Sequence, residues 1–101
     1  MKITIKTDDT LTTIAVEGRV DTFTAPEFDS QTAGVPAPGF SGDIVIDCAG
    51  MEYISSAGLR SFITLLKRAT AEGCGLTVTN LNDAIRTVFD MTGFTQIFKI
   101  K

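Results

Sequence analysis

The sequence has no histidine and no tryptophan, and its only cysteines are Cys48 and Cys74. Histidine is the commonest general base near neutral pH and the commonest metal ligand, so its absence counts against hydrolytic and zinc chemistry. Two isolated cysteines also cannot supply a four-ligand zinc site. We therefore expect no metal and no cofactor, and we interpret both cysteines as small buried side chains rather than redox centres.

The chain also lacks a long apolar segment and a block of like charge. No run approaches the roughly 18 apolar residues of a membrane span. Met1 to Lys6 alternates polar and apolar residues, unlike the continuous apolar core of a secretory signal. The net charge is -3, from nine Lys and Arg against twelve Asp and Glu. We therefore expect a cytoplasmic protein with free thiols, without membrane insertion and without direct binding of nucleic acid.

The 101 residues, 44% of them hydrophobic, are suited to a single domain over residues 1–101. An alternating pattern predicts a β-hairpin from Lys2–Lys6 and Thr12–Val16, with a turn at Asp8-Asp9 and an end at Gly18. The β-branched run Asp43–Asp47 predicts a buried central strand that ends before a turn at Gly50-Met51. Further strands are predicted at Leu76–Val78 and within Phe94–Lys101.

Three helices are predicted between these strands. Thr24 and Glu27 have the spacing of a capping box, which predicts a short helix to about Thr32. A second helix begins at Ser56 and has an apolar face, and a third is capped by Asn80 or Asn82. The element order β-β-α-β-α-β-α-β predicts an α/β fold with a mixed central sheet, an N-terminal hairpin and about three packed helices.

The segment from Ser55 to Arg60 is the strongest candidate for a functional site. Its two serines lie where a helix begins, beside unpaired backbone amides and the positive end of the helix dipole, a position that favours a phosphate. Ala57 and Gly58 have almost no side chain, so a second protein could approach the Ser56 hydroxyl closely. Alternatively, Ser55 or Ser56 is an ordinary helix cap, and the small residues allow a helix to pack on a strand.

The chain resembles the STAS domains, which include bacterial anti-sigma factor antagonists and the cytoplasmic domains of sulfate transporters. Four matches in order, at matching spacing, support this resemblance over nearly the whole chain: Val16–Asp21 with Thr24–Glu27, Ile44–Asp47, Tyr53–Arg60, and Ala84–Phe89 with Thr92–Phe94 and Ile97-Phe98. The resemblance implies a STAS-like fold and a non-enzymatic regulator that binds other proteins.

In the phosphorylated members of the family, the motif Asp-Ser-Ser/Thr-Gly-Leu contains the phosphoacceptor serine directly after the aspartate. Aligning Gly58 and Leu59 with the motif assigns that role to Ser56. The family's aspartate is Ser55 here, and its second hydroxyl residue is Ala57. This weakens any role of the aspartate's charge in kinase docking and leaves Ser55 as a minor candidate acceptor.

The resemblance further implies a partner, an anti-sigma factor that is also the serine kinase, with a phosphatase as a further candidate. The partner surface would include the turn Asp21, Thr22 and Phe23 together with Ser55, Ser56, Ala57, Gly58 and Arg60. Taken alone, Asp21 and Arg60 are more simply interpreted as solvated surface charges. Asp47 is interpreted as a turn-forming residue. Tyr53 and Phe94 are candidate anchors for a partner, although packing in the core is the favoured interpretation of both.

Two alternatives remain open from the sequence. The first is a STAS-like adaptor subunit of a transporter or signalling assembly, in which Ser56 is only a cap and is never phosphorylated. The second is a small enzyme or thiol protein on the same α/β plan. The second is the less favoured, because the chain has no histidine, no CxxC motif and no pair of carboxylates at a defined spacing.

Overall fold

The computed structural model describes residues 1–101, and its elements follow the predicted order. The strands are β1 (Lys2–Thr7), β2 (Leu11–Val20), β3 (Asp43–Ile54), β4 (Leu76–Thr79) and β5 (Lys99–Ile100). The helices are α1 (Ala25–Thr32), α2 (Ser56–Ala71) and α3 (Asp83–Met91), with a 3₁₀ turn at Phe94–Gln96. The predicted α/β architecture is therefore confirmed.

The strands form one mixed sheet in the order β1-β2-β3-β4-β5. The hairpin β1-β2 is antiparallel, and every other neighbouring pair is parallel. The hairpin turn is held by Asp8, whose carboxylate accepts hydrogen bonds from the backbone amides of Thr10 and Leu11, both at 2.8 Å. Because β2, β3 and β4 run in parallel, their carboxyl ends and the loops that follow lie along one edge of the sheet.

The core lies on one face of the sheet, beneath the three helices. Alternate residues of the central strands point into it, among them Ile14, Ile44 and Val78, each fully buried. The helices contribute aromatic side chains, with Phe62 of α2 stacked on Phe28 of α1 at 5.2 Å between ring centroids. Burial of these side chains fixes how each helix sits on the sheet, and therefore where α2 begins.

The strands β2 and β3 extend several residues beyond their predicted ends. Gly18 does not end β2, because it adopts a left-handed φ of 91° at an irregularity in the pairing with β3, and the strand continues to Val20. Gly50 and Met51 do not form a turn either, because they pair with Glu17 and Gly18. A side chain at Gly50 would meet the Glu17 Cγ at 2.7 Å, so glycine permits close strand contact here.

The C-terminal segment is less extended than predicted. Phe94–Gln96 is a 3₁₀ turn, and only Lys99–Ile100 forms a strand. Gly93 has the left-handed φ expected after a helix, 78°. The Phe94 ring packs against Phe89 at 6.0 Å and Phe98 at 5.8 Å between centroids, which confirms the predicted core contact.

Both cysteines are buried and free. Burial, with a smaller contribution from the charge of Asp47, raises the pKa of the Cys48 thiol to about 12. The thiol is therefore un-ionised near neutral pH and packs as a small apolar group, as the sequence predicted. None of the helices combines the length and the apolar character that crossing a membrane requires.

Candidate functional site

The carboxyl ends of β2 and β3 bring together the two segments that the sequence singled out. The backbone amide of Ser55, directly after β3, donates a hydrogen bond of 2.9 Å to the carbonyl oxygen of Val20 at the end of β2. The Asp21–Thr24 turn therefore lies beside the start of α2. Parallel pairing of distant strands creates this proximity, which the spacing in the sequence does not reveal.

The Asp21–Thr24 turn is ordered by its own side chains. The Asp21 carboxylate accepts hydrogen bonds from the backbone amides of Phe23 at 2.9 Å and Thr24 at 3.1 Å. The Thr24 hydroxyl accepts a hydrogen bond of 2.9 Å from the Asp21 amide and donates one of 2.8 Å to the Arg19 carbonyl oxygen. The predicted capping box is wrong, because Thr24 makes no side-chain capping bond to α1 and its oxygen is used by the turn.

The surroundings of Asp21 in this turn favour its ionised form. Partial desolvation acts to raise the pKa of its carboxyl group. The hydrogen bonds from Thr24 and Phe23, and the charge of Arg19 at 3.6 Å, outweigh that effect and bring the pKa below its ordinary value. Asp21 is therefore ionised at neutral pH and acts first as the organiser of the turn, a role that sequence reasoning did not assign to it.

Ser55, rather than Ser56, caps helix α2. The Ser55 backbone is extended, and its hydroxyl oxygen accepts a hydrogen bond from the Gly58 amide at 3.4 Å. Ser56 is the first residue of the helix; its side chain is exposed, and its hydroxyl has no hydrogen-bond partner within the protein. The two serines thus differ in what they contact, and only the Ser56 hydroxyl is free for another molecule.

Ala57 and Gly58 play different parts. Ala57 is half-buried and lines a groove beside Ser56, whereas Gly58 is buried and faces the end of β2. A Cβ at position 58 would lie 2.7 Å from the Val20 carbonyl oxygen and 2.8 Å from Ile54 Cγ1. Gly58 therefore lets α2 begin directly against the sheet, and it lies beneath the exposed surface around Ser56.

We expect Gly58→Ala to lower the free energy of unfolding by about 1–3 kcal/mol, because the new methyl group overlaps the carbonyl oxygen of Val20, which the strand holds in place, and the side chains of Val20 and Ile54. The overlap opposes the gain of up to about 1 kcal/mol that alanine brings to a helix. Urea denaturation measures the change. Gly34→Ala is the control, since no atom lies within 4 Å of its added Cβ. Equal stability of the two variants would contradict the close contact.

A groove of about 230 Å³ runs between α1 and α2 next to Ser56. Its walls include Thr22 and Asp29 on one side and Ala57 and Arg60 on the other. Arg60 is exposed and has no carboxylate within ion-pair distance, and Asp29 is likewise unpaired. The groove therefore presents one positive and one negative group, both free, within reach of a protein that contacts Ser56.

An aromatic and cationic surface adjoins the same edge. Phe23 is 92% exposed at the tip of the Asp21–Thr24 turn. Tyr53 is 41% exposed, so its predicted place in the core is wrong. The Arg19 guanidinium lies 4.2 Å from the centre of the Tyr53 ring and also pairs with Asp21. Sequence reasoning missed Arg19, because its cross-strand neighbour Tyr53 lies beyond Asp47, where the central strand was predicted to end.

Other polar groups that the sequence raised have structural partners. The Asp47 carboxylate accepts hydrogen bonds from the Ala49 amide at 3.0 Å and from Asn80 at 2.9 Å, so it makes the predicted local bond to the backbone two residues on, but the chain does not turn there because Asp47 lies within β3. Asn82, rather than Asn80, caps α3, because its side-chain oxygen accepts a hydrogen bond of 2.8 Å from the Ile85 amide. No group of three or more His, Cys, Asp or Glu side chains is arranged to hold a metal ion.

The model of one protein family, described as the STAS domain, matches residues 2–101. The chain belongs to the STAS domain family. The resemblance that the motifs indicated is therefore confirmed over the whole length of the sheet and helices, including the segment from Tyr53 to Arg60.

Named relatives and solved structures of STAS proteins resemble this chain along most of their length. BtrV of Bordetella bronchiseptica, a protein described as an anti-sigma factor antagonist, is 29% identical over 100 residues, which are 99% of this chain and 85% of BtrV. A Thermotoga maritima protein described as an anti-sigma factor antagonist superposes with a TM-score of 0.86 at 19% identity, covering 97% of this chain and 84% of that one.

The Bacillus cell fate determinant SpoIIAA, solved in its phosphorylated form, superposes with a TM-score of 0.74 at 13% identity, covering 99% of this chain and 91% of that one. At these identities the two solved structures establish the shared fold alone.

Proposed function

We propose that this STAS protein is an anti-sigma factor antagonist, a cytoplasmic binding switch and not an enzyme. In the proposed mechanism, it binds an anti-sigma factor that is also a serine kinase while Ser56 is unmodified, and it releases that partner once Ser56 is phosphorylated. Sequestering the anti-sigma factor would free the sigma factor.

The observation that carries this proposal is the free hydroxyl of Ser56. Ser55 caps α2, so the hydroxyl of Ser56 has no structural role and faces solvent. Around it lie the exposed Phe23, the groove with Arg60, and the Arg19–Tyr53 pair. Exposed aromatic and arginine side chains of this kind commonly anchor protein interfaces.

The comparisons support the proposal through the names of the relatives. BtrV and the Thermotoga maritima protein are both called anti-sigma factor antagonists, and SpoIIAA exists in a phosphorylated form. A protein that antagonises an anti-sigma factor by binding it needs a surface, not a catalytic site. The exposed edge around Ser56 supplies such a surface, and the adjoining groove contains no constellation of catalytic residues.

The phosphoryl transfer itself depends on the partner. The Ser56 oxygen attacks the γ-phosphorus of ATP, the bond from that phosphorus to the bridging oxygen breaks, and ADP leaves. The hydroxyl proton passes to a base of the kinase, because no histidine or neighbouring carboxylate of this chain contacts Ser56. The phosphate adds about -1.5 to -2 charges and three acceptor oxygens to a surface that fitted a neutral hydroxyl, which favours dissociation.

The replacement of the family's aspartate by Ser55 favours a second candidate function. Without that carboxylate, a STAS adaptor that docks on a transporter or signalling assembly would use the same edge of the sheet without phosphorylation. The capping hydrogen bond that Ser55 accepts from the Gly58 amide is compatible with both functions, since it leaves the surface around Ser56 unchanged.

Incubation with the partner kinase and ATP, followed by mass mapping, tests the proposal. We expect a single phosphate, on Ser56, and loss of the complex in proportion to its incorporation. Ser56→Ala should remain unmodified, and Ser55→Ala should still accept phosphate. Transfer to another residue, or a complex that persists after complete phosphorylation of Ser56, would refute the switch and favour the adaptor.

A further inference from the structure

Arg60 lies four residues after Ser56 on the exposed side of α2. Residues spaced by four on a helix have Cβ atoms about 5–6 Å apart, so their side chains can meet. The order also matters, because an acidic group on the N-terminal side of a basic one is the more favourable arrangement. A negative charge placed on Ser56 would therefore stand in the preferred position relative to Arg60.

Nothing in the unmodified protein holds the Arg60 guanidinium. The single ion pair of the structure joins Arg19 and Asp21, and the side-chain nitrogens of Arg60 donate no hydrogen bond to the protein. Asp29 of α1 is the only other charged residue that lines the groove, and it lies beyond ion-pair distance. Arg60 is thus available, either to a partner or to a new anion on its own helix.

We propose that phosphorylated Ser56 binds Arg60 of its own helix, so that the modification withdraws a cation from the partner surface as well as adding an anion. This inference rests on the proposed phosphorylation of Ser56. A phosphate has three acceptor oxygens, and the planar guanidinium of arginine matches two of them at once. The resulting ion pair leaves a partner carboxylate without the arginine that it would otherwise contact.

The consequence is a switch with two coupled parts. In the unmodified state, the partner meets a neutral hydroxyl and a free guanidinium. In the phosphorylated state, it meets an anion whose nearest cation is already occupied. Both changes oppose binding by a partner that presents negative charge to Arg60, and they arise from two side chains of one helix turn, without rearrangement of the sheet.

The test measures the phosphate in the free protein. Phosphoserine is incorporated at position 56 during translation, without a kinase, and ³¹P NMR follows its second ionisation, whose pKa is about 6 in exposed phosphoserine. We expect this pKa to be about 0.15 to 0.4 pH unit lower in the wild type than in Arg60→Gln, because the guanidinium favours the dianion. Arg60→Lys should retain part of the difference, and 1 M NaCl should reduce it.

Arg86→Gln is the matched control, because Arg86 is an exposed arginine of another helix and its loss changes the net charge equally. It should leave the phosphate pKa at the wild-type value. Asp29 is present in every variant, so its contribution cancels from the comparison. Equal phosphate pKa values in the wild type and Arg60→Gln, or equal effects of Arg60→Gln and Arg86→Gln, would overturn the inference.

The result is independent of the kinase. If Ser56 is never phosphorylated by a partner, the proposed function fails, yet the NMR difference still reports whether Arg60 binds a phosphate at that position. If the kinase does modify Ser56 and the NMR difference is absent, the switch stands and Arg60 has no part in it.

Discussion

Ser56→Asp is expected to bind the proposed partner, an anti-sigma factor kinase, about 30- to 100-fold more weakly than the wild type, a loss of about 2.0 to 2.7 kcal/mol. The aspartate introduces a negative charge where the partner fits an uncharged hydroxyl, although it has less charge and fewer acceptor oxygens than a phosphate. Ser56→Ala should bind nearly as well as the wild type, since it remains small and neutral. Isothermal titration calorimetry measures all three affinities.

Ser41→Asp provides the control for this prediction. Ser41 is exposed in the loop before β3, at the opposite edge of the sheet from Ser56, and the same substitution there changes the net charge equally. It should leave the affinity unchanged. If Ser41→Asp weakens binding as much as Ser56→Asp does, the partner senses overall charge and not residue 56.

Phe62→Ala is expected to lower the free energy of unfolding by about 3–5 kcal/mol. Phe62 is fully buried, stacks on Phe28 at 5.2 Å, and lies 6.4 Å from the rings of both Phe89 and Phe98. Its loss would leave a cavity between all three helices. Thermal denaturation should show a midpoint lowered by about 15 °C or more.

The same substitution at Phe23 separates stability from function. Phe23 is 92% exposed, so Phe23→Ala should change the free energy of unfolding by no more than about 0.5 kcal/mol. Its affinity for the kinase should nevertheless fall by about 10-fold or more, as expected of an aromatic anchor in an interface. A Phe23→Ala variant that binds normally would remove the Asp21–Thr24 turn from the partner surface.

The pattern of residues was sufficient for most of the fold. Alternation in Lys2–Lys6 and Thr12–Val16 predicted the hairpin, and the β-branched run at Asp43–Asp47 predicted the central strand. These signals are local, since they follow from which side of a strand or helix each side chain occupies. The boundaries were less predictable, because glycine was interpreted as an interruption at Gly18 and Gly50, where neighbouring strands in fact keep the chain extended.

The sequence by itself determined the element order, the family motif and the register that selects Ser56. Only the tertiary structure decided which serine caps α2, whether the other is exposed, and which residues surround it. The reason is physical: whether a hydroxyl caps a helix depends on the position of nearby amides, and that position is set by long-range pairing. The hydrogen bond from Ser55 to Val20, and the absence of a side chain at Gly58, fix the start of α2 against β2. Ser56 is left facing outward as a consequence.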